Sequence, residues 1–161
     1  MILRNSLLIF LLVILVVSCD KKRVFDHYTT VGKTWHKDSI VQFSFDQQDT
    51  LTPFNLFLNL RNNKNYPYSN LFLIVELEDP KQKTMVDTLE YIMANPDGTL
   101  LGSGFSDVKE SKLYYKEKYR FKTPGKYTLR VQHAVRNTGK ISGVETLEGI
   151  LDVGFRIELT E

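Results

Sequence analysis

From Ile40 onward the apolar positions recur every second residue, the spacing of a strand with one face on a core. Val41, Phe43 and Phe45 share one face of the segment Ile40 to Phe45, and Asp46-Gln47-Gln48-Asp49 follows as a polar turn. Phe54, Leu56, Leu58 and Leu60 alternate with Asn55, Phe57 and Asn59. Leu71, Leu73, Val75 and Leu77 form one face of the next segment. Its other face carries Phe72 and Ile74 before Glu76 and Glu78, so the first half is apolar on both sides, as in a central strand or one covered by another segment. Val86 to Met93 fits a strand through Leu89, Tyr91 and Met93, and a helical turn is the alternative.

Leu113, Tyr115, Tyr119 and Phe121 group around Glu117, and Tyr127, Leu129, Val131, His133 and Val135 form the next inward set. The last segment sets Leu147, Leu151, Val153, Phe155, Ile157 and Leu159 against Glu148, Asp152, Arg156 and Glu158. Turn signals divide these runs: Asp79-Pro80, Asn95-Pro96-Asp97-Gly98, Gly102-Ser103-Gly104 and Pro124-Gly125. About eight short strands with no helical pattern between them predict an all-β chain. The expected form is a single β-sandwich, immunoglobulin-like or jelly-roll-like.

The N-terminus follows a different rule. Arg4 precedes an unbroken apolar run, Leu7 to Val17, which ends in Val16-Val17-Ser18-Cys19. A charged head, a short apolar stretch and a small residue before the cut describe a secretory signal. The run falls short of the roughly 20 residues that span hydrocarbon. With the chain's single cysteine directly after the cut, the stretch reads as a lipobox. Residues 1–18 are then a cleaved signal peptide, and Cys19 receives the lipid that anchors the chain to a membrane. Residues 19–35 are expected to form the lipidated N-terminus and a tether, and residues 36–161 the sandwich. Lys21, Lys22 and Arg23 either attract anionic headgroups or begin a solvated tether.

Charge narrows the partners. The formal net charge is +2, and Arg4 leaves with the signal. A near-balanced domain lacks the basic stripe of a nucleic-acid binder, so no nucleic-acid partner is expected. Lipidation of Cys19 removes the only thiol, excluding disulfides and cysteine-based zinc sites. His27, His36 and His133 have no metal-ligand spacing, and His133 falls on an inward face as a hydrogen-bonded core residue. No serine-elbow motif is present. Asp46, Asp49 and Asp97 sit in turns without calcium-loop spacing, and Glu76 with Glu78 reads as a wet face rather than a glycosidase pair. The reading is therefore no catalytic residue, no metal and no cofactor. Tyr66-Pro67-Tyr68 is the most suggestive cluster: it anchors a protein partner, stacks on a sugar, or plugs the open end of the sandwich.

These residues also carry a resemblance. FNLFLNLRNNKNYPYSNLFLIVE (Phe54 to Glu76), DTLEY (Asp87 to Tyr91), MANPDGTLLGSG (Met93 to Gly104) and GILDVGFRIE (Gly149 to Glu158) resemble the GldH gliding-motility lipoproteins of Bacteroidota. Together with the lipobox, the likeness covers nearly the whole chain. The resemblance implies a non-enzymatic lipoprotein of the gliding machinery, tied to type IX secretion. Its partners would be other gliding lipoproteins or secretion components. The expected place is the cell envelope, at the outer membrane facing the periplasm, with the inner membrane as the alternative. A lipid-anchored carbohydrate-binding or hydrolytic domain is the competing reading, since an all-β scaffold with a tyrosine-rich loop suits it.

Overall fold

The computed structural model describes residues 20–104, 106–137, 139 and 141–160. Cys19 and the expected signal lie outside the described residues. The strands are β1 (Arg23–Thr30), β2 (Thr34–His36), β3 (Val41–Gln47), β4 (Phe54–Asn62) and β5 (Asn70–Glu78), then β6 (Thr84–Ile92), β7 (Lys109–Tyr119), β8 (Gly125–His133), β9 (Thr146–Glu148) and β10 (Ile150–Leu159). No helix occurs among the described residues.

The pairings nest. β5 pairs with β6, β4 with β7, β3 with β8, β2 with β9 and β1 with β10, all antiparallel. The chain is thus one long hairpin, folded so that successive pairs alternate between two sheets. The first sheet runs β1-β10-β4-β7 and the second β3-β8-β5-β6, with β2-β9 as a separate two-stranded piece. That wrapping is a jelly roll, which decides between the two sandwich forms expected.

The inward faces follow the period-two reading. Leu56, Leu58, Leu60, Val153, Phe155 and Ile157 of the first sheet meet Phe43, Leu71, Leu73, Val75, Leu129 and Val131 of the second, all buried. Burying each such side chain contributes roughly 1.5–3 kcal/mol. The rings of Phe25, Phe43 and Phe45 pack around Phe155 at centroid distances of 5.8, 6.1 and 5.4 Å. The segment Val86 to Met93 is strand β6 up to Ile92, with Met93 buried beyond it.

Three expectations change. From Arg23 on, the expected tether is strand β1, laid along β10 (Asp26 opposite Arg156, Tyr28 opposite Gly154). Trp35 is fully buried in β2, its Nε1 donating to the Ser39 carbonyl at 2.7 Å. The last apolar run is two strands, because Gly149 at φ +80° breaks it. Leu147 therefore packs opposite Trp35 in the small sheet. A bulge between Ile150 and Asp152 leaves Leu151 only half-buried, and Leu159 is exposed at the strand end. In β7, register shifts against β4 bracket Tyr115 and Lys118, so Leu113, Tyr115 and Tyr119 do not share one simple face.

Side chains close both flanks of the sandwich. Phe25 meets Phe45 at 5.5 Å on the β1–β3 side. On the β6–β7 side the Tyr115 hydroxyl donates to Asp87 at 2.8 Å, Lys116 Nζ reaches Asp87 at 3.0 Å, and the Tyr91 hydroxyl donates to the Tyr114 carbonyl at 2.8 Å. Burial first, and then the Asp87 bond, push the Tyr115 phenol far up, so it remains a donor.

Candidate functional site: an open apolar face on the second sheet

The two outer faces of the sandwich differ in kind. On the first sheet the wet face is filled by its own side chains. Arg156 of β10 donates to Asp26 at 2.6 Å and Glu158 at 2.5 Å, and also to Asp20. Arg61 of β4 donates to Glu110 at 2.7 Å while its guanidinium lies 4.3 Å over the Tyr28 ring. Tyr28 lies flat across Gly154, where a Cβ would come within 2.8 Å of its ring carbons. Its hydroxyl donates to Glu110 at 3.0 Å. Burial first, then that bond, push the phenol up to about 12. Burial alone raises the Glu110 carboxyl, but the Arg61 and Tyr28 bonds outweigh it and hold the group below its ordinary range. Lys112 Nζ spans Glu158 at 2.7 Å and the Phe57 ring at 4.1 Å, which is how an outward Phe57 comes to be buried. A face of paired charges over covered aromatics has few groups left to offer a partner.

The second sheet presents the opposite case. Phe72 and Ile74 of β5 point outward and are only half-covered. With Thr88, Ala134, Arg136 and Asn137 they line an open groove of about 540 Å³. Opposite them on β6 the outward positions are Val86, Thr88, Glu90 and Ile92, and Val86 and Ile92 are 58% and 69% exposed. Among the described residues no strand pairs with the free edge of β6. β6 runs in unbroken register with β5 from Thr84 to Ile92. The edges of the first sheet, by contrast, carry register shifts in both β1 and β7. A long, regular, apolar edge is a template for another strand. The charges on β6 are the inward Asp87, which Tyr115 and Lys116 already satisfy, and the outward Glu90, which accepts from the Asn70 side chain.

The residues singled out from the sequence separate. Tyr66 is buried in the core, its hydroxyl donating to the Asn70 carbonyl at 2.7 Å, and burial pushes its phenol well up. Tyr66 thus sits in the core, and of the three only Pro67 and Tyr68 reach the surface. Pro67 is exposed and Tyr68 half-exposed, and the Tyr68 hydroxyl donates at 3.0 Å to Asn137, which lines the apolar groove. His133 is a core residue as read: Nε2 meets the Trp35 carbonyl at 3.0 Å, and burial lowers its pKa, keeping the ring neutral. Asp49 accepts from the amides of Leu51 and Thr52, Asp97 from that of Thr99, and Glu78 from Arg130, so these carboxylates serve turns and strand pairs. No group of three His, Cys, Asp or Glu suited to a metal occurs among the described residues.

A family model described as GldH lipoprotein matches residues 23–157. The chain belongs to the GldH lipoprotein family. It is 62% identical over 156 residues to the gliding motility lipoprotein GldH of Flavobacterium johnsoniae, covering 97% of each chain. It is 52% identical over 157 residues to a GldH homolog of Christiangramia forsetii, covering 97% of this chain and 96% of that one. Among solved structures it is similar to part of a family GH115 4-O-methyl-alpha-glucuronidase at TM-score 0.46 and 12% identity, covering 89% of this chain and 18% of that one. Of the strands, the match leaves out only the last two residues of β10, so the groove and the β6 edge both lie within the matched segment.

Proposed function

We propose that this chain is a lipid-anchored, non-enzymatic component of gliding motility, linked to type IX secretion, that holds a protein partner against the outer face of its second sheet. The observation that carries the reading is the unpaired β6 edge with Val86 and Ile92 exposed beside the Phe72–Ile74 groove. An extended partner segment adding to β6 would satisfy the edge amides while its alternate side chains fill the groove. Tyr68, bonded to Asn137 of the groove wall, and Pro67 next to it in the chain would be further contacts. The anchor is Cys19, whose thiol takes a diacylglycerol group before residues 1–18 are cut away, and the membrane is the outer one with the domain in the periplasm. Relatives sharing more than half of their residues with this chain are named as gliding motility lipoproteins, which supports the role.

The test is a double charge substitution, Val86→Glu with Ile92→Glu, at positions whose exposure leaves the core untouched. The lipoprotein should accumulate and melt normally, while cells lose spreading and a photo-crosslinker at Thr88 no longer captures gliding or secretion proteins. Normal spreading with intact crosslinks would show that this face is not the docking surface. Recovery of a glycan on the purified protein, with no envelope protein captured, would favour the carbohydrate-binding alternative. Cys19→Ala should leave a folded chain that fractionates away from membranes, and full function of that chain would make the anchor incidental.

A further inference from the structure

The described chain begins already fastened to the first sheet. Asp20, the residue after Cys19, pairs with Arg156 of β10. The Lys22 amide donates to Asp20 at 3.2 Å, and the Leu159 amide donates to the Lys22 carbonyl at 2.9 Å. Adjacent Cα atoms lie about 3.8 Å apart, so a lipid on Cys19 starts one residue from a fixed point on the sheet. We infer that the domain stands on its anchoring membrane on this end of the sandwich, with Leu51 among the headgroups and the groove of the second sheet held clear of the bilayer. The inference rests on Cys19 as the lipid attachment and on the groove as the partner's seat.

Three turns share that end. The Thr160 hydroxyl donates to the Pro53 carbonyl at 3.0 Å, which ties the end of β10 to the turn 48–53. Tyr119 lies opposite Phe54 and Gly125 opposite Gln47, so the turn 120–124 lies beside the first. A Cβ on Gly125 would come 3.1 Å from the Pro80 ring, which sets the turn 79–83 alongside both.

These turns present a surface suited to a bilayer interface. Leu51 is 83% exposed, and Asp49 fixes its position by accepting from the Leu51 and Thr52 amides at 2.8 and 2.9 Å. Val24 and Leu159 are exposed on the strand ends beside the anchor. Apolar side chains at the headgroup level add buried area to the hold of the lipid itself. Within the three turns Lys81, Lys83, Arg120 and Lys122 are exposed and enter no ion pair among the described residues. The carboxylates of the same turns are Asp49 and Asp79, and Asp79 accepts from the Lys81 and Lys83 amides at 2.9 Å. Four cations against two anions leave a surface that does not repel anionic headgroups.

The groove lies at the other end. Phe72 stands near the start of β5, and Ala134, Arg136 and Asn137 follow the end of β8. From Glu78, beside the membrane-facing turns, to Phe72 is roughly 20 Å of strand. The partner segment is therefore one that stands free of the bilayer, and not one embedded in it.

The experiment uses the acylated full chain in vesicles of phosphatidylethanolamine and phosphatidylglycerol, with intact mass reporting the lipid on Cys19. Cys19 is the only cysteine and the lipid blocks its thiol, so a single introduced cysteine takes a fluorophore alone. Leu51→Cys is compared with Ile141→Cys. Ile141 is 92% exposed in the loop beyond β8 that the Val144–Val135 bond closes, so both labels sit on exposed apolar tips at opposite ends. Both variants should melt like the parent. A doxyl group carried near the headgroup of added phosphatidylcholine should quench the label at 51 about threefold or more over that at 141, since a strand's length separates the two tips. Equal or reversed quenching would overturn the orientation. Quenching at neither position would mean that the domain swings free of the surface, which overturns it as well. Quenching confined to 51 in a chain whose mass shows no lipid would keep the orientation and remove Cys19 as its cause. Failure of the Thr88 crosslinks in a chain that passes this test would count against the docking face alone.

Discussion

Gly149→Ala should be among the most damaging one-methyl changes in this protein, and the structure gives the size of the effect. Gly149 sits between β9 and β10 at φ +80°, where an alanine costs roughly 1–2 kcal/mol from backbone strain alone. A Cβ there would lie 2.1 Å from the Tyr66 nitrogen, 2.5 Å from its Cα and 2.6 Å from the Asn65 carbonyl carbon. These are backbone atoms, so no rotamer change relieves the clash. The 63–66 loop must move away, loosening the Asn63 amide bond to the Gly149 carbonyl at 2.9 Å and the Tyr66 amide bond to the Asn63 carbonyl at 3.0 Å. Each such bond contributes about 0.5–1.5 kcal/mol. Partial withdrawal of the buried Tyr66 ring brings the total to about 4 kcal/mol.

Gly98→Ala is the matched control. Its φ is +85°, but nothing lies within 4 Å of the added carbon. Only the strain remains, about 1–2 kcal/mol. Urea unfolding of the full chain in detergent, followed by fluorescence of the single, fully buried Trp35, reads both changes. The Gly149 midpoint should fall by about 2 M urea and the Gly98 midpoint by less than about 1 M, with unchanged slopes. Equal midpoint shifts for the two variants would refute the claim that the Tyr66 loop makes the difference.

Phe155→Asp should prevent folding, because it places a charge among Phe25, Phe43 and Phe45 with no partner; Phe155→Ala alone should cost roughly 3–5 kcal/mol, and a soluble, normally melting Asp variant would contradict the core assignment. Tyr66→Ala should cost about 3 kcal/mol or more by the same urea assay, whereas Tyr68→Ala should stay within about 1 kcal/mol and weaken crosslinking to a partner; similar stability losses in the two would contradict their separation into core and surface. Burial lowers the His133 pKa in the folded state, so the unfolded chain binds the extra proton and stability falls as pH drops below its ordinary value of 6.5. The slope from this one group is at most about 1.4 kcal/mol per pH unit, and His133→Gln should be flatter than the parent over that window when unfolding is measured from about pH 7.5 to about pH 5.

The alternation of apolar residues by itself determined most of the fold. It placed the inward faces of β3, β4, β5, β8 and the later part of β10, because a period of two leaves one set of side chains no alternative to the core. It also marked His133 as a core residue, from its position between Val131 and Val135. Where the pattern misled, a local break in the backbone was the cause. Gly149 splits the last run between two sheets, and the bulges in β7 turn Tyr115 and Lys118 out of phase, neither of which changes the count of apolar residues. The buried Trp35 was hidden because β2 is only three residues long, too short for a period to show.

The candidate site was legible only in part. Phe72 and Ile74 advertised a strand apolar on both sides, which sequence reads as a central strand or one covered by another segment, and β5 is central between β8 and β6. Tertiary structure decided that no described segment of this chain does the covering, and it set Thr88, Arg136 and Asn137 around the same opening from positions distant in sequence, with Tyr68 bonded to Asn137. Likewise Asp26 of β1 and Arg156 and Glu158 of β10 carry no common motif, and the β1–β10 pairing alone brings Asp26 to Arg156. Periodicity is local and survives in the one-dimensional record. The absence of a cover, and the meeting of charges across strands, are properties of pairings made between distant segments, and these exist only once the chain has wrapped.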